Sequence, residues 1–319
     1  MSEKNGYVLI IGSSNMDLNI YSERLPKPGE TVTGGIFKQS LGGKGANQAV
    51  ASIRSGVRTI FIAKIGKDAF GDEMISRLTN EGIEMRYVIR DPEEASGVAF
   101  IMIDYKGENM ISVAPGANKR LNPSEIRTNS NIIKNAKSLV VQMELPIETI
   151  EEIFKIASQG NVIKILNPAP LKPLPPYILK NIDIIIPNEG ELFRLHSLLE
   201  FKDLTGEPRE KIIQASKDIA SLGVKIVITT LGSKGSIIYN GETDQITEIP
   251  AFKVDAVDTV GAGDCFNGIL ASQLCKGEPI LSAVKYATAA ASIAVTRKGA
   301  QDSMPFINEI NEQIKKYSK

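Results

Sequence analysis

Short apolar runs rich in β-branched side chains recur along the chain, at 7–11, 59–63, 139–141, 162–166, 182–186 and 225–229. They are continuous rather than alternating, which suits strands covered on both faces, as in a parallel sheet flanked by helices. Between them lie amphipathic stretches of helical length. Residues 147–158 bring Ile150, Ile153, Phe154 and Ile156 near one stripe, and 211–222 do the same with Ile212, Ile213, Ile219 and Ala220. Strand alternating with helix predicts βαβ units with right-handed crossovers, and hence a three-layer αβα fold of the α/β class with a mainly parallel central sheet. Two segments break the pattern. Residues 18–39 hold Pro26, Pro28, Gly29, Gly34 and Gly35 around short alternating pieces such as Glu30-Thr31-Val32-Thr33. Residues 96–114 read as two strands, 97–103 and 109–113, about the turn Asp104-Tyr105-Lys106-Gly107. Neither has a helix to cover it. The two, about 15–41 and 96–116, are assigned to a small protruding antiparallel β-sheet that closes as a lid over a cleft.

At 319 residues the chain fits one large α/β domain or two smaller ones; it is read as a single domain, 1–319, carrying the lid sheet. Lys plus Arg and Asp plus Glu both number 37, so no global field draws the protein to nucleic acid or an anionic membrane. The cysteines are Cys265 and Cys275, too few for a disulfide scaffold and without a C-x-x-C pair. His196 is the only histidine, which excludes multi-histidine metal sites and a Ser-His-Asp triad built anywhere else. Residues 1–6 lead into only the short run 7–11, which fits neither a signal peptide nor a membrane span. A soluble, cytoplasmic protein is expected.

Three glycine-rich sites carry the chemistry. Leu41-Gly42-Gly43-Lys44-Gly45-Ala46-Asn47-Gln48-Ala49 offers bare backbone, a cation and two amides at the start of a helix, where N–H groups approach an anion or a hydroxylated ligand; a plain tight turn is the other reading. Asp258-Thr259-Val260-Gly261-Ala262-Gly263-Asp264 lets several N–H groups converge at a second helix start, an anion hole for charge on a transferring phosphoryl group. Asp264 is then either an N-cap or a general base for an attacking hydroxyl, and the lack of a histidine for that task favours the base. Thr229-Thr230-Leu231-Gly232-Ser233-Lys234-Gly235-Ser236 follows a strand, at the end where open α/β sheets bind ligands. Neither a P-loop nor a G-x-G-x-x-G fingerprint is present.

Polar residues also follow strands: Asn15-Met16-Asp17, Glu144, and Pro187-Asn188-Glu189-Gly190-Glu191. Asn188 and Glu191 share one face of a first helical turn, where they suit either a capping box or a sparse magnesium shell.

From Asn15 to Ser303 the chain resembles the ribokinase group of the PfkB carbohydrate-kinase family. The resemblance rests on Asn15-x-Asp17, Leu25-Pro26-Lys27-Pro28-Gly29-Glu30-Thr31, Gly42 to Ala49, Pro115-Gly116-Ala117-Asn118, Leu166-Asn167-Pro168-Ala169-Pro170, Pro187-Asn188-Glu189, Thr230-Leu231-Gly232, Asp258 to Asp264, and Ala294-Val295-Thr296-Arg297-Lys298-Gly299-Ala300-Gln301. The Gly-Ala-Gly-Asp motif alone indicates the wider family. The Gly-Gly-Lys-Gly-Ala-Asn-Gln and Thr-Arg-Lys-Gly-Ala-Gln runs narrow it.

The resemblance implies a ribokinase-like fold and ATP-dependent phosphorylation of the O5 hydroxyl of D-ribose. It implies that Asn15, Asp17, Gly43, Lys44, Asn47 and Glu144 hold the sugar, with Asp264 as base and Gly261, Ala262 and Gly263 as the anion hole. Asn188, Thr230, Leu231, Gly232, Ser233, Lys234, Gly235 and the Gly263 amide would contact ATP, with Asn188 and Glu191 organising Mg2+. A potassium site would use Asp258, the carbonyls of Val260, Ala294, Arg297 and Gly299, and the Ser303 hydroxyl. A homodimer through the lid sheets is also implied.

Thr288 departs from the pattern, standing where such kinases often place His or Asn beside adenine, and Gly190 should loosen the Asn188 turn. Cys265 is expected to pack as a small apolar residue and His196 to sit on a helix surface. Deoxyribose, another sugar or a nucleoside are rival substrates. A non-catalytic sugar sensor is the rival class, but Asp264 and its glycines are intact.

Overall fold

The computed structural model describes residues 6–317. Residues 1–5, on which the leader expectation partly rests, lie outside the described residues. Strand β1 (Val8–Ile11) shows what the continuous apolar runs achieve: Val8 and Ile10 face one core, Leu9 and Ile11 the other, and all four are fully buried. Around it the main sheet runs in the order β14 (Gln245–Ile249), β13 (Ser236–Asn240), β12 (Ile226–Thr230), β11 (Ile184–Ile185), β10 (Ile163–Asn167), β9 (Ser138–Gln142), β1, β4 (Thr59–Ile62). Pairing is parallel from β4 to β12 and antiparallel between β12, β13 and β14. Each of the apolar runs overlaps one of the six parallel strands. β13 and β14 were not anticipated; β14 lacks the continuous signature, whereas Ile237-Ile238-Tyr239 in β13 carries it and was passed over.

The helices are α1 (Lys44–Arg54), α2 (Ala69–Asn80), α3 (Pro123–Thr128), α4 (Ser130–Lys134), α5 (Ile147–Ala157), α6 (Pro176–Leu179), α7 (Glu189–Leu198), α8 (Pro208–Ala220), α9 (Ala262–Cys275), α10 (Ile280–Ala294) and α11 (Ile307–Tyr317). α1, α2, α9, α10 and α11 contribute to one core and α3 to α8 to the other, giving three αβα layers. Helix α8 begins three residues before the expected 211, because Glu207 and Glu210 form a capping box ahead of Pro208. No helix among the described residues is long and apolar enough to cross a membrane.

A separate sheet of order β3 (Ile36–Gly42), β2 (Asn15–Tyr21), β7 (Gly97–Ile103), β8 (Asn109–Ala114) holds the two segments that broke the helical pattern. Its β2–β3 and β7–β8 pairs are antiparallel, but β2 and β7 are parallel, so the sheet is mixed rather than purely antiparallel. Glu30–Thr33 does not form the expected strand. It lies in a loop, and the partner of β2 is the following segment, registered from Asn15 opposite Gly42 to Tyr21 opposite Ile36. A short pair, β5 (Lys64–Gly66) with β6 (Ile89–Asp91), completes the strands.

From β1 the chain moves to β4 on one side, then to β9 and on through β12 on the other. This reversal of strand order opens a crevice at the carboxyl ends of β1 and β9, the position where such sheets take ligands.

Candidate active site

Helix α9 starts at the glycine turn. Gly261 is its N-cap with φ 74°, and a Cβ there would come within 3.0 Å of Ala300 Cα, so glycine is needed both for the left-handed turn and for the close approach. Asp264 does not cap the helix. Its carboxylate accepts from Asn47 Nδ2 at 2.9 Å and from Gln48 Nε2 at 3.0 Å, both near the start of α1. The capping alternative therefore falls away: the carboxylate points across to the neighbouring helix, at the wall of a cavity of about 230 Å³. Gly263 also lines this cavity, with open space where a side chain would be. The early N–H groups of α9 lack intrahelical acceptors and can serve an anion.

The same cavity is lined by Lys44, Asn188, Glu191, Thr230, Thr259, Gly261 and Asn267. Three distant turns, after β3, after β11 and after β12, thus meet the anion-hole turn. The Lys44 ammonium is held above its ordinary range chiefly by the Asp264 carboxylate, with Glu144 and Glu191 adding to it and burial opposing. It stays a cation facing the anion site.

On the crevice side, Asn15, Asp17, Gly43, Asn47 and Glu144 come together where β1, β2, α1 and β9 converge. Gly43 caps α1 with φ 87°, and a Cβ would strike the Asn15 nitrogen and Ser14 Cα at 2.7 Å. Glu144 accepts from the Lys44 backbone N–H at 3.1 Å and from the Ser13 hydroxyl. Asn15 Oδ1 accepts from Asn118 Nδ2 at 2.8 Å. Asp17 lies behind Gly42; burial, then the charges of Glu144 and Asp264, push its carboxyl up to about 7. Three carboxylates facing one space make a polar, acceptor-rich site suited to hydroxyl groups.

A second cavity, of about 430 Å³, adjoins the first through Thr230, Thr259 and Gly263. Gly232, Ser233, Gly235, Ala262 and Thr288 line it together with Phe252, Val254, Phe266, Ala291 and Val295, giving an apolar cleft beside the anion hole. Leu231 and Lys234 are not among its lining residues: the Leu231 side chain packs against the core, and Lys234 is exposed. Thr288 spends its hydroxyl on the Val284 carbonyl at 2.8 Å.

Asn188 and Glu191 form a full capping box: Asn188 Oδ1 accepts from the Glu191 N–H at 2.8 Å, and Glu191 Oε2 from the Asn188 N–H at 2.9 Å. Both capping and cavity lining hold, and Gly190 does not prevent the box. Burial raises the Glu191 carboxyl above its ordinary range. Asp258 Oδ1 accepts from the Val260 N–H at 3.0 Å and Oδ2 from the Gly299 N–H at 2.9 Å, tying the anion-hole turn to the loop after α10. The Ser303 hydroxyl donates to the Ala300 carbonyl, Ala294 is buried, and the Arg297 guanidinium pairs with Glu309.

His196 is not on the surface. It is buried, stacks on Phe201 with ring centroids 5.1 Å apart, and places Nε2 2.8 Å from Asp218 Oδ2. The faces of α7 and α8 that meet here are set by tertiary packing. Cys265 packs as a small apolar side chain, its thiol pushed up to about 12 chiefly by burial.

Gln48, one of the two amides read at the start of α1, turns to Asp264, whereas Ser13, Asn118, Gln142 and Asn167, all buried polar groups at strand ends or on the loops beside them, were given no role of their own from the sequence. Gln142, in an otherwise apolar strand, was the one signal available.

Residues 5–307 match the pfkB family carbohydrate kinase description. The chain is 39% identical over 311 residues to a ribokinase of Staphylococcus aureus, covering 96% of this chain and 98% of that one. It is 36% identical, with the same coverages, to a deoxyribokinase of Salmonella typhi. A solved structure of Arabidopsis thaliana ribokinase complexed with ribose and ATP superposes with TM-score 0.90 at 32% identity, covering 98% of this chain and 99% of that one.

Proposed function

The chain belongs to the pfkB family of carbohydrate kinases, and on that premise we propose that it transfers the γ-phosphoryl group of ATP to the O5 hydroxyl of D-ribose. The observation that carries this reading is the meeting of the Asp264 carboxylate, the glycine-turn amides and Lys44 at one cavity that opens toward an apolar cleft. Phosphoryl transfer needs positioning and charge neutralisation more than covalent chemistry, and these groups supply both. Asn15, Asp17, Gly43, Lys44, Asn47 and Glu144 bind the sugar hydroxyls. Asp264 accepts the O5 proton late, as the O–P bond forms, because a carboxylate is a weak base. The Gly261, Ala262 and Gly263 turn stabilises charge on the transferring group. Adenine lies in the apolar cleft, with Asn188 and the Thr230 to Gly235 turn along the nucleotide.

The oxygen donors suit the cations such a reaction uses. Mg2+ keeps most of its waters, so Glu191 and Asn188 need only orient its shell while it neutralises phosphate charge. The Asp258 carboxylate, the carbonyls of Val260, Ala294, Arg297 and Gly299, and the Ser303 oxygen would hold K+ beside the anion hole, an all-oxygen set appropriate to it. The exposed apolar side chains of the lid sheet, Ile36, Phe37, Phe100 and Ile111 among them, support a homodimer through that sheet. Both cysteines are free, in keeping with a cytoplasmic enzyme.

An ATP-consumption assay across ribose, deoxyribose, fructose and adenosine, with and without potassium, tests the proposal; ribose should lead and potassium should activate. The Salmonella relative makes deoxyribose the second candidate, and faster turnover of deoxyribose would displace ribose. Asp264→Asn should lower kcat by ~10²–10⁴ while ribose affinity, read by thermal shift, is kept. Activity within a fewfold of wild type would reject Asp264 as the base.

A further inference from the structure

Behind the cavity, the Asp264 carboxylate is held by a chain of side-chain amides, of which Gln48, Gln142 and Gln301 are outside the proposed substrate and cofactor contacts. Gln48 is fully buried and does not line the cavity. Its Nε2 donates to Asp264 Oδ1 at 3.0 Å and to Asn167 Oδ1 at 3.2 Å, while its Oε1 accepts from Gln142 Nε2 at 2.6 Å. Gln142 is fully buried too, with Oε1 unpartnered and set against the bare Cα of Gly12. On the other carboxylate oxygen, Asn47 Nδ2 donates to Asp264 Oδ2 at 2.9 Å, and Asn47 Oδ1 accepts from Gln301 Nε2 at 3.1 Å. The backbone carbonyls of Gln301 and Met304 are held by Arg54, the last residue of the same helix α1, each at 2.8 Å.

An ionised carboxylate only accepts hydrogen bonds, so each amide touching it must turn its NH2 toward it and its oxygen away. That oxygen then requires a donor behind it, which Gln142 supplies on one side and Gln301 on the other. A flip of Gln48 would set two acceptors against Asp264 and two donors against Gln142. The direction of both relays is therefore fixed.

We infer that Gln48, oriented by Gln142, is a positioning residue for the general base: it keeps the Asp264 carboxylate rotated toward the reacting hydroxyl without itself touching substrate. Gln301 does the same through Asn47 and connects the base to the loop after α10. This rests on the proposed role of Asp264.

The test compares wild type with Gln48→Met and Gln142→Met, measuring kcat and, by calorimetry, sugar affinity, on ribose or whichever sugar of the panel the wild type phosphorylates. Gln48→Met should lower kcat by about 10–100-fold, the range for removing a group that orients a functional ligand, with sugar Kd within about threefold. Gln142→Met keeps the Gln48 donor but frees its orientation, and should lose less. Should Gln48→Met fail to melt cooperatively, Gln142→Met and Gln301→Met carry the same readouts. A kcat within twofold of wild type, or a loss of sugar affinity equal to the loss of turnover, would overturn the inference. A wild type that phosphorylates none of the sugars would count against the proposed function instead.

Discussion

Ile10 in β1 and Ile111 in β8 are the same residue in the same secondary structure, yet Ile10 is fully buried and Ile111 is 58% exposed. The main sheet has a helical layer on each face, whereas every residue of β8 is exposed. The covered sheet derives its stability from packing. The lid sheet leaves Phe37 and Phe100 in solvent at 59% and 54% exposure, which is more apolar surface than an isolated sheet edge ordinarily presents. The difference separates a scaffold that fixes strand ends from the surface assigned to the proposed dimer, and Asn15 and Asp17, the proposed sugar ligands, sit on the strand that follows β1 into the lid sheet.

The sharpest way to break this comparison is the same truncation in both sheets. Ile10→Ala should cost about 2–5 kcal/mol in denaturant unfolding. Ile111→Ala should cost no more than about 0.5 kcal/mol in dilute protein. Equal losses would show that the lid is packed as tightly as the core.

A smaller effect is expected at the junction. The Asp17 carboxyl is raised from 3.8 to about 7 in the folded protein, so the native state binds this proton more tightly than the unfolded chain. The resulting stabilisation is full below about pH 4 and is lost as pH rises through about 7. Asp17→Asn lacks that loss. It should therefore melt higher than wild type at pH 8, by roughly 1–3 kcal/mol of stability, with the gap closing toward pH 4, while sugar affinity falls. A constant gap across pH would show that neither burial nor the neighbouring carboxylates raise the Asp17 carboxyl as described.

The smallest effect on the fold should come from Phe37→Ser combined with Ile111→Ser. Melting of dilute protein should stay within about 0.5 kcal/mol of wild type, while sedimentation should show a shift from dimer to monomer. An unchanged distribution would place any dimer contact elsewhere.

Much of the scaffold was legible because its signals are local. A continuous apolar run needs cover on both faces wherever it lies, and each of the runs became a parallel strand. The glycine turns at Gly43 and Gly261 were legible for a similar reason, since bare backbone before an apolar helix exposes N–H groups irrespective of the rest of the chain. The expected strand at Glu30–Thr33 failed because alternation without a neighbouring strand has nothing to pair with; the register of β2 selected the next segment. His196 was misread for lack of a partner in its own helix: its burial depends on Asp218, 22 residues onward.

The chain's order of residues thus determined which layers form, where the turns fall and which motifs carry charge, because these follow from propensity and hydrophobic cover within a few residues. Only the tertiary structure decided that Asp264 faces Asn47 and Gln48 rather than capping its own helix, that Gln142 and Gln301 stand behind those amides, and that one apolar sheet is covered and the other is not. Those outcomes join residues up to 254 positions apart, and a hydrogen bond over that separation exists only once the layers have closed and excluded the water that would otherwise satisfy it.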